Sequence, residues 1–408
     1  MKNEKTLLAL LAAIQFTNIL DFVIMMPLGP QLMRTLEIGP QQFGLVVSAY
    51  TFSAGFSGLA AAFFIDRYNR KTALLVLYLG FALGTLACVA APTHHWLIAA
   101  RALTGMFGGV LGSLVLAIIG DAVPEERRGR AIGVVMGAFS VASVLGVPFG
   151  LYLATRYSWH APFILLGVLS LAIWVLIYFA LPNMRGHIDR ATSLRERAGA
   201  VVDLFGNPSV RAALLLITLL MLGQFTVVSF LSPYLVGNVG FSENQLSYIY
   251  LVGGVVTIFS SPLAGRLADR YGKVRVFTAG SLASVPMLLL ITHLGPLPLG
   301  LALTATAGLF IVMSSRFIPA TALATSVVEP RRRGSFMSLN TSVQQFAAGL
   351  ASFLAGFIVV KTTSGALLHY DWVGYLAVAA NLLSMWVVRQ VRPAEVVSAP
   401  AEAAIVVH

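Results

Sequence analysis

Apolar runs of about 20 residues, separated by short polar connections, fill almost the whole chain. As a helix, a run of that length crosses a bilayer core of roughly 30 Å. The pattern predicts twelve spans. In the first half these are 6–27, 42–64, 73–92, 96–120, 131–154 and 161–181; in the second, 211–234, 245–265, 275–293, 298–323, 335–360 and 372–390. The expected fold class is therefore all-α integral membrane. Lys2 and Lys5 before LLALLAAI resemble the start of a signal peptide, but the run continues through QFTNILDFVIMM without a cleavage site and reads as a retained first span. The longest polar connection, 183–210, carries Arg185, Arg190, Arg195 and Arg197 and reads as a linker. It divides an N-terminal six-helix bundle, 1–182, from a C-terminal one, 211–392. Residues 393–408, rich in Ala and Val, read as a disordered tail.

Two landmarks repeat at about half the chain length. AFFIDRYNRK at 62–71 is a blurred copy of GRLADRYGK at 265–273, with Asp66 and Asp269 lying 203 positions apart. PEERRG, ending at Gly129, recurs as EPRRRG, ending at Gly334, 205 positions on. Two markers at nearly one period predict two homologous, pseudo-symmetric halves.

Composition narrows the class. With 58% apolar and 11% charged residues and a mean hydropathy of +0.84, the chain lies far from the soluble range of about 25% charged. The net charge of +11 and pI of 10.0 would suggest nucleic acid for a soluble protein. Here the basic residues instead follow the loops. The side opposite the termini holds only Arg34, Arg156 and Lys361, so both termini are expected to be cytoplasmic and no nucleic-acid partner is expected. Cys88 lies inside an apolar run and reads as packing, with no disulfide or cysteine metal site. His94 and His95 are adjacent in an outer loop, a poor geometry for ligation, and no metal or other cofactor is expected.

The repeated loop carries a family likeness. Twelve spans in two halves, with this sequence after spans 2 and 8, resemble the major facilitator superfamily, whose signature there is G-x-x-x-D-R-x-G-R-K. The second copy matches at Gly265, Asp269, Arg270, Gly272 and Lys273. The first keeps Asp66, Arg67, Arg70 and Lys71 but has Ala62 and Asn69 in the glycine positions. The resemblance implies a cytoplasmic latch. Asp66 and Asp269 would meet the positive end of a neighbouring helix, the bases would bridge to the other half, and Gly272 would take a left-handed turn that Asn69 can also adopt. The other reading is a basic turn that only orients the chain.

Arg101 and Gly105 resemble the family's fourth-span pattern R-x-x-x-G. In hydrocarbon an Arg costs at least ~2.5 kcal/mol, so Arg101 faces a partner or cavity, or else snorkels to the nearby surface. Gly146, Pro148 and Gly150 loosely resemble the fifth-span motif of family exporters, with the proline displaced one place and Leu151 where the final Gly belongs. The spelling LGVPFG followed by WHAPF is similar to the sugar-efflux and arabinose-efflux-permease branch of the drug/proton antiporters. Ordinary helix packing would use the same small residues.

The acids provide the sharpest filter, because only Asp21 lies well inside a span. With Gln15 and Asn18 it forms a polar stripe on one face of span 1. At ~1.5 Å per residue, Asp21 and Arg101 lie at matching depth, so they are candidates for a proton-coupling pair or for a fixed structural pair. Gln224, Asn340, Gln344 and Gln345 are in-span amides, substrate contacts or helix glue. Arg316 is expected near the span 11 amides, either binding an electronegative group or holding span 11 in register.

The resemblance implies a secondary transporter of the bacterial inner membrane. It would be a monomer in the lipid bilayer exporting a small-molecule substrate against protons. The alternative is an importer or facilitator of a sugar or organic anion. A membrane-embedded enzyme has no nucleophile, base and acid constellation in or beside the spans.

Overall fold

The computed structural model describes residues 4–184, 199, 203–329 and 333–394, excepting the side chains at 62, 66 and 333–335. The linker arginines and nearly all of the tail lie outside these residues. Among the described residues, twelve helices are long and apolar enough to cross a membrane: Glu4–Ile24, Pro40–Ala61, Arg70–Val89, His94–Ala122, Glu125–Arg156, His160–Ala180, Pro208–Val239, Glu243–Tyr271, Lys273–Thr292, Leu299–Val327, Phe336–Ile358 and Tyr370–Gln390. These are spans 1 to 12. Their even number brings Glu4 and Ala394 to one side, called here the terminal face.

Local chemistry starts several of them. Pro208 opens span 7 where a missing N–H costs nothing, and the Asn207 side chain accepts from Ser209 N at 2.9 Å. At span 8, Gln245 Oε1 reaches back to Ser242 N at 2.9 Å. Two small elements are absent from the hydropathy pattern. One is a short helix, Gly29–Thr35, between spans 1 and 2; the other is a two-stranded antiparallel hairpin pairing Val360 with Leu368 and Lys361 with Leu367, between spans 11 and 12.

The two halves meet along two pairs of helices, span 2 with span 11 and span 5 with span 8. The first contact depends on small residues. A Cβ on Gly44 would lie 2.8 Å from the Ser352 carbonyl and 3.1 Å from Gly356 Cα, so the backbones come as close as they do only because both positions are glycine. Toward the terminal face the Phe346 ring fills this seam, edge-on to Phe56 at 4.6 Å.

The second contact is uneven. It runs along Val147–Arg156 and Ala142–Gly146 and fades by Ala138–Val141, so spans 5 and 8 pack away from the terminal face. On the opposite face the halves are closed by Phe43 against Phe230, with ring centroids 5.6 Å apart, and by an ion pair between Arg34 and Glu243. On the terminal face a crevice of about 680 Å³ opens between spans 1 and 5, beside Lys5, Leu8, Arg127 and Arg130.

Candidate functional site

Span 1 carries Gln15, Asn18 and Asp21 on one face, as the three-residue spacing requires, and that face lies against span 4. A Cβ on Gly112 would lie 4.0 Å from Gln15 Nε2, Asn18 Nδ2 donates to Gly108 O at 3.2 Å, and Asp21 meets Arg101. The stripe thus fills a helix seam inside the first half. The polar groups of Gln15 and Asn18 turn toward span 4, whose glycines leave room for them. The side of span 1 facing the second half is aromatic, with Phe22 stacked on Tyr50 at 5.5 Å and 5.8 Å from Phe225.

At the outer end of that seam lies a closed polar cluster. Arg101 Nη1 donates to Asp21 Oδ2 at 2.6 Å, and Thr85 Oγ1 donates to Asp21 Oδ1 at 3.1 Å. Asp21 is 0% exposed and Arg101 1%. The snorkelling alternative for Arg101 is therefore set aside, since its head turns inward to a carboxylate. The guanidinium also covers the Tyr50 ring at 4.5 Å, and Tyr50 OH donates to Asn18 Oδ1 at 3.0 Å. Gly105 has a concrete reason to be glycine, because any Cβ there would overlap the backbone of Tyr50. The R-x-x-x-G spacing thus puts the arginine and the small residue on one face, against span 2. Two charges out of water need such geometry to offset their desolvation.

In the second half, Asn340 is buried with its Oδ1 unpartnered, whereas Gln344 and Gln345 are half-buried. Gln224 Oε1 is also unpartnered. Arg316 is the clearest departure from expectation. Its Nη1 donates to Asn381 Oδ1 at 2.7 Å, and Asn381 Nδ2 donates in turn to Ser281 O at 2.8 Å and Ser284 Oγ at 2.9 Å. Arg316 therefore ties span 10 to spans 12 and 9, not to the amides of span 11. Depth along a helix follows from counting, but the direction around it depends on which neighbour offers an acceptor. Sequence reasoning missed Asn381, although an amide inside a span was the signal that flagged Gln224. It also missed Tyr50 and Thr85, which carry no comparable signal because hydroxyls are common in membrane helices.

The two copies of the repeated loop differ. Gly272 has φ +93°, a conformation open to glycine, whereas Asn69 has φ −56°. The expected left-handed Asn69 is corrected. Asn69 instead caps span 3, its Oδ1 accepting from Lys71 N at 3.0 Å and from Met184 N at 3.1 Å. The bases that were to bridge the halves are held within their own. Arg70 Nε donates to Asp121 Oδ2 at 2.8 Å, Lys71 lies over the Tyr178 ring at 5.5 Å, and Lys273 Nζ donates to Ala322 O at 3.2 Å. Arg67, Asp269 and Arg270 are exposed on the terminal face; Arg270 covers the ring of the adjacent Tyr271, and Gly265 packs loosely on Ile318.

The span 5 motif sits at a helix irregularity. Pro148 lacks the N–H that an α-helix needs, and just before it Val147 N bonds Ala142 O, five residues back, as a single π turn. Gly146 and Gly150 let span 5 pack on span 1, against Leu20 and Ile24. The π turn is also where span 8 arrives, since a Cβ on Gly254 would lie 2.9 Å from Ser143 O. Among the described residues no cluster of His, Cys, Asp and Glu could hold a metal ion.

Twelve candidate membrane spans in two halves, with a charged pair buried among them, define a multi-pass membrane protein. The chain belongs to the Major Facilitator Superfamily, whose family model matches residues 11–234 and 213–406. It is similar to the uncharacterized MFS-type transporter YbcL of Bacillus subtilis, 26% identical over 89% of this chain and 90% of that protein. It is also similar to the putative transporter AraJ of Escherichia coli, 24% identical over 87% and 86%. Among solved structures, the fold matches a mutant form of the nucleoside transporter NupG with a TM-score of 0.74 at 15% identity, covering 94% of this chain and 99% of that one. A bacterial homologue of the human lysosomal transporter Spinster matches with a TM-score of 0.70 at 17% identity, covering 94% of each chain.

Proposed function

We propose that this transporter exports small molecules in exchange for protons, by alternating access in the bacterial inner membrane, as a monomer with both termini cytoplasmic. Residues 1–182 and 211–392 are the two moving bundles and 183–210 their linker. The observation that carries the reading is the Asp21–Arg101 pair. A proton and the guanidinium compete for one carboxylate oxygen, so protonation of Asp21 and the ion pair exclude each other. Protonation frees Arg101, which lies over Tyr50, and Tyr50 belongs to span 2, which faces the second half along span 11. The charge change therefore acts on a helix at the seam between halves. Substrate occupies the space between the bundles, reached from the terminal face, with Gln224, Asn340, Gln344 and Gln345 as its polar contacts.

Asp66 and Asp269 engage neighbouring helix ends when that face closes, and Arg67 and Arg270 accompany them. Gly146, Pro148 and Gly150 supply the irregular turn about which span 5 moves against span 8. Export rather than import is supported by the likeness of that turn to the exporter motif.

The test is a substrate screen in proteoliposomes with an imposed pH gradient. The proposal expects solute to accumulate in the direction opposite to proton flow. Co-directional movement would make the protein an importer, and transport indifferent to the gradient would remove the coupling.

A further inference from the structure

The two halves treat a buried arginine differently. Arg101 has Asp21, whereas Arg316, also 1% exposed, has no carboxylate in ion-pair range among the described residues. Among the described residues its one acceptor is Asn381 Oδ1, and its Nε and Nη2 have no partner. Arginine stays protonated in proteins, so the charge cannot be shed. Asn381 cannot supply more, since Nδ2 is committed to Ser281 O and Ser284 Oγ and its other atom already accepts from Arg316. Beside them Ser281 Oγ is 0% exposed and also unpartnered. Span 7 closes on the same point through Gly223, where a Cβ would lie 3.9 Å from Asn381 N. The cluster is therefore rich in N–H and O–H groups and carries one uncompensated positive charge, the arrangement that burial makes most costly.

We propose that Arg316 and Ser281, with Asn381 holding the guanidinium in place, form a binding site for one monovalent anion, lodged against Arg316 Nε and Nη2. It is the second half's equivalent of the Asp21 carboxylate. One positive charge calls for one negative charge, so a halide or a single carboxylate fits and a divalent anion does not. The anion is either a free ion or the carboxylate of a carried solute, and the chemistry at Arg316 is the same. This site is independent of proton coupling through Asp21.

The experiment follows unfolding of the purified protein in sulfate buffer, a divalent background that does not fit the site, at constant ionic strength while chloride, bromide, acetate or benzoate is titrated in. The wild type should show a saturable rise in its unfolding midpoint. In Arg316→Gln, loss of the charge-assisted bonds should weaken the effective affinity by roughly tenfold or more. Asn381→Asp keeps the acceptor for Arg316 Nη1 and supplies a built-in counter-charge, while giving up the bond that Nδ2 donates to Ser281 O and making Ser284 Oγ the donor, so it should make the protein insensitive to anions even if Arg316→Gln does not fold. Saturation by chloride and bromide alone identifies a free ion, and saturation by the carboxylates as well identifies a solute site. No saturable effect in the wild type, or the same effect in wild type and Asn381→Asp, would overturn the proposal.

Discussion

Removing one partner of the Asp21–Arg101 pair should cost far more than removing both charges. Asp21→Asn keeps an oxygen near Arg101 and a polar group near Thr85 Oγ1, but it leaves a cation 1% exposed in a site built for a neutral pair. Breaking a buried pair in this way costs about 3–5 kcal/mol. The retained contact of Arg101 over the Tyr50 ring at 4.5 Å is worth about 0.5–2 kcal/mol, which places Asp21→Asn near the lower end, about 3 kcal/mol. At 2–4 °C per kcal/mol, the unfolding midpoint in detergent should fall by roughly 6–12 °C. Arg101→Leu should fall at least as far, because the carboxylate left behind keeps only Thr85. Combining Asp21→Asn with Arg101→Leu removes the charge altogether and should recover about 2–3 kcal/mol of the summed losses, within the range usual for contacting residues. The assay is thermal unfolding of the four proteins under identical lipid and detergent. Strictly additive losses would refute the claim that the two residues act as one buried unit.

Gly105→Leu forces a side chain into the Tyr50 backbone; it should cost about 1–3 kcal/mol from overpacking, and transport should fall with stability rather than with substrate affinity. Arg34→Glu and Glu243→Arg should each loosen the closure opposite the termini, and the pair combined should restore it. For a pair with Arg34 65% exposed the effect is about 0.2–1 kcal/mol, read as a several-fold change in labelling of a cysteine placed beside Phe230. Asp269→Asn should slow net transport while leaving substrate binding in detergent unchanged, and an equal loss of both would contradict a latch role.

The spans were legible because a bilayer demands about twenty apolar residues for each crossing. The meeting of Asp21 with Arg101 was legible because helical rise converts sequence position into depth. What depth does not contain is azimuth. Gln15 and Asn18 share a face with Asp21, but it is the glycines of span 4 that let this face turn toward that helix. Arg316 turns to Asn381 because span 12 offers the acceptor, a fact lying 65 residues away in the chain. Asn69 could take a left-handed turn but is used as a cap, where its side chain satisfies Lys71 N and Met184 N together. The hairpin pairing Val360 with Leu368 and the helix Gly29–Thr35 are too short to leave a periodic trace.

The central claim is that Asp21 carries the coupled proton, and substrate-induced proton movement tests it most directly. Proteoliposomes containing a pH-sensitive dye, with no imposed gradient, would be given an outward substrate gradient. The wild type should draw protons inward as substrate leaves. Asp21→Asn should exchange labelled for unlabelled substrate while moving no protons. Proton movement by Asp21→Asn equal to that of the wild type would contradict the account.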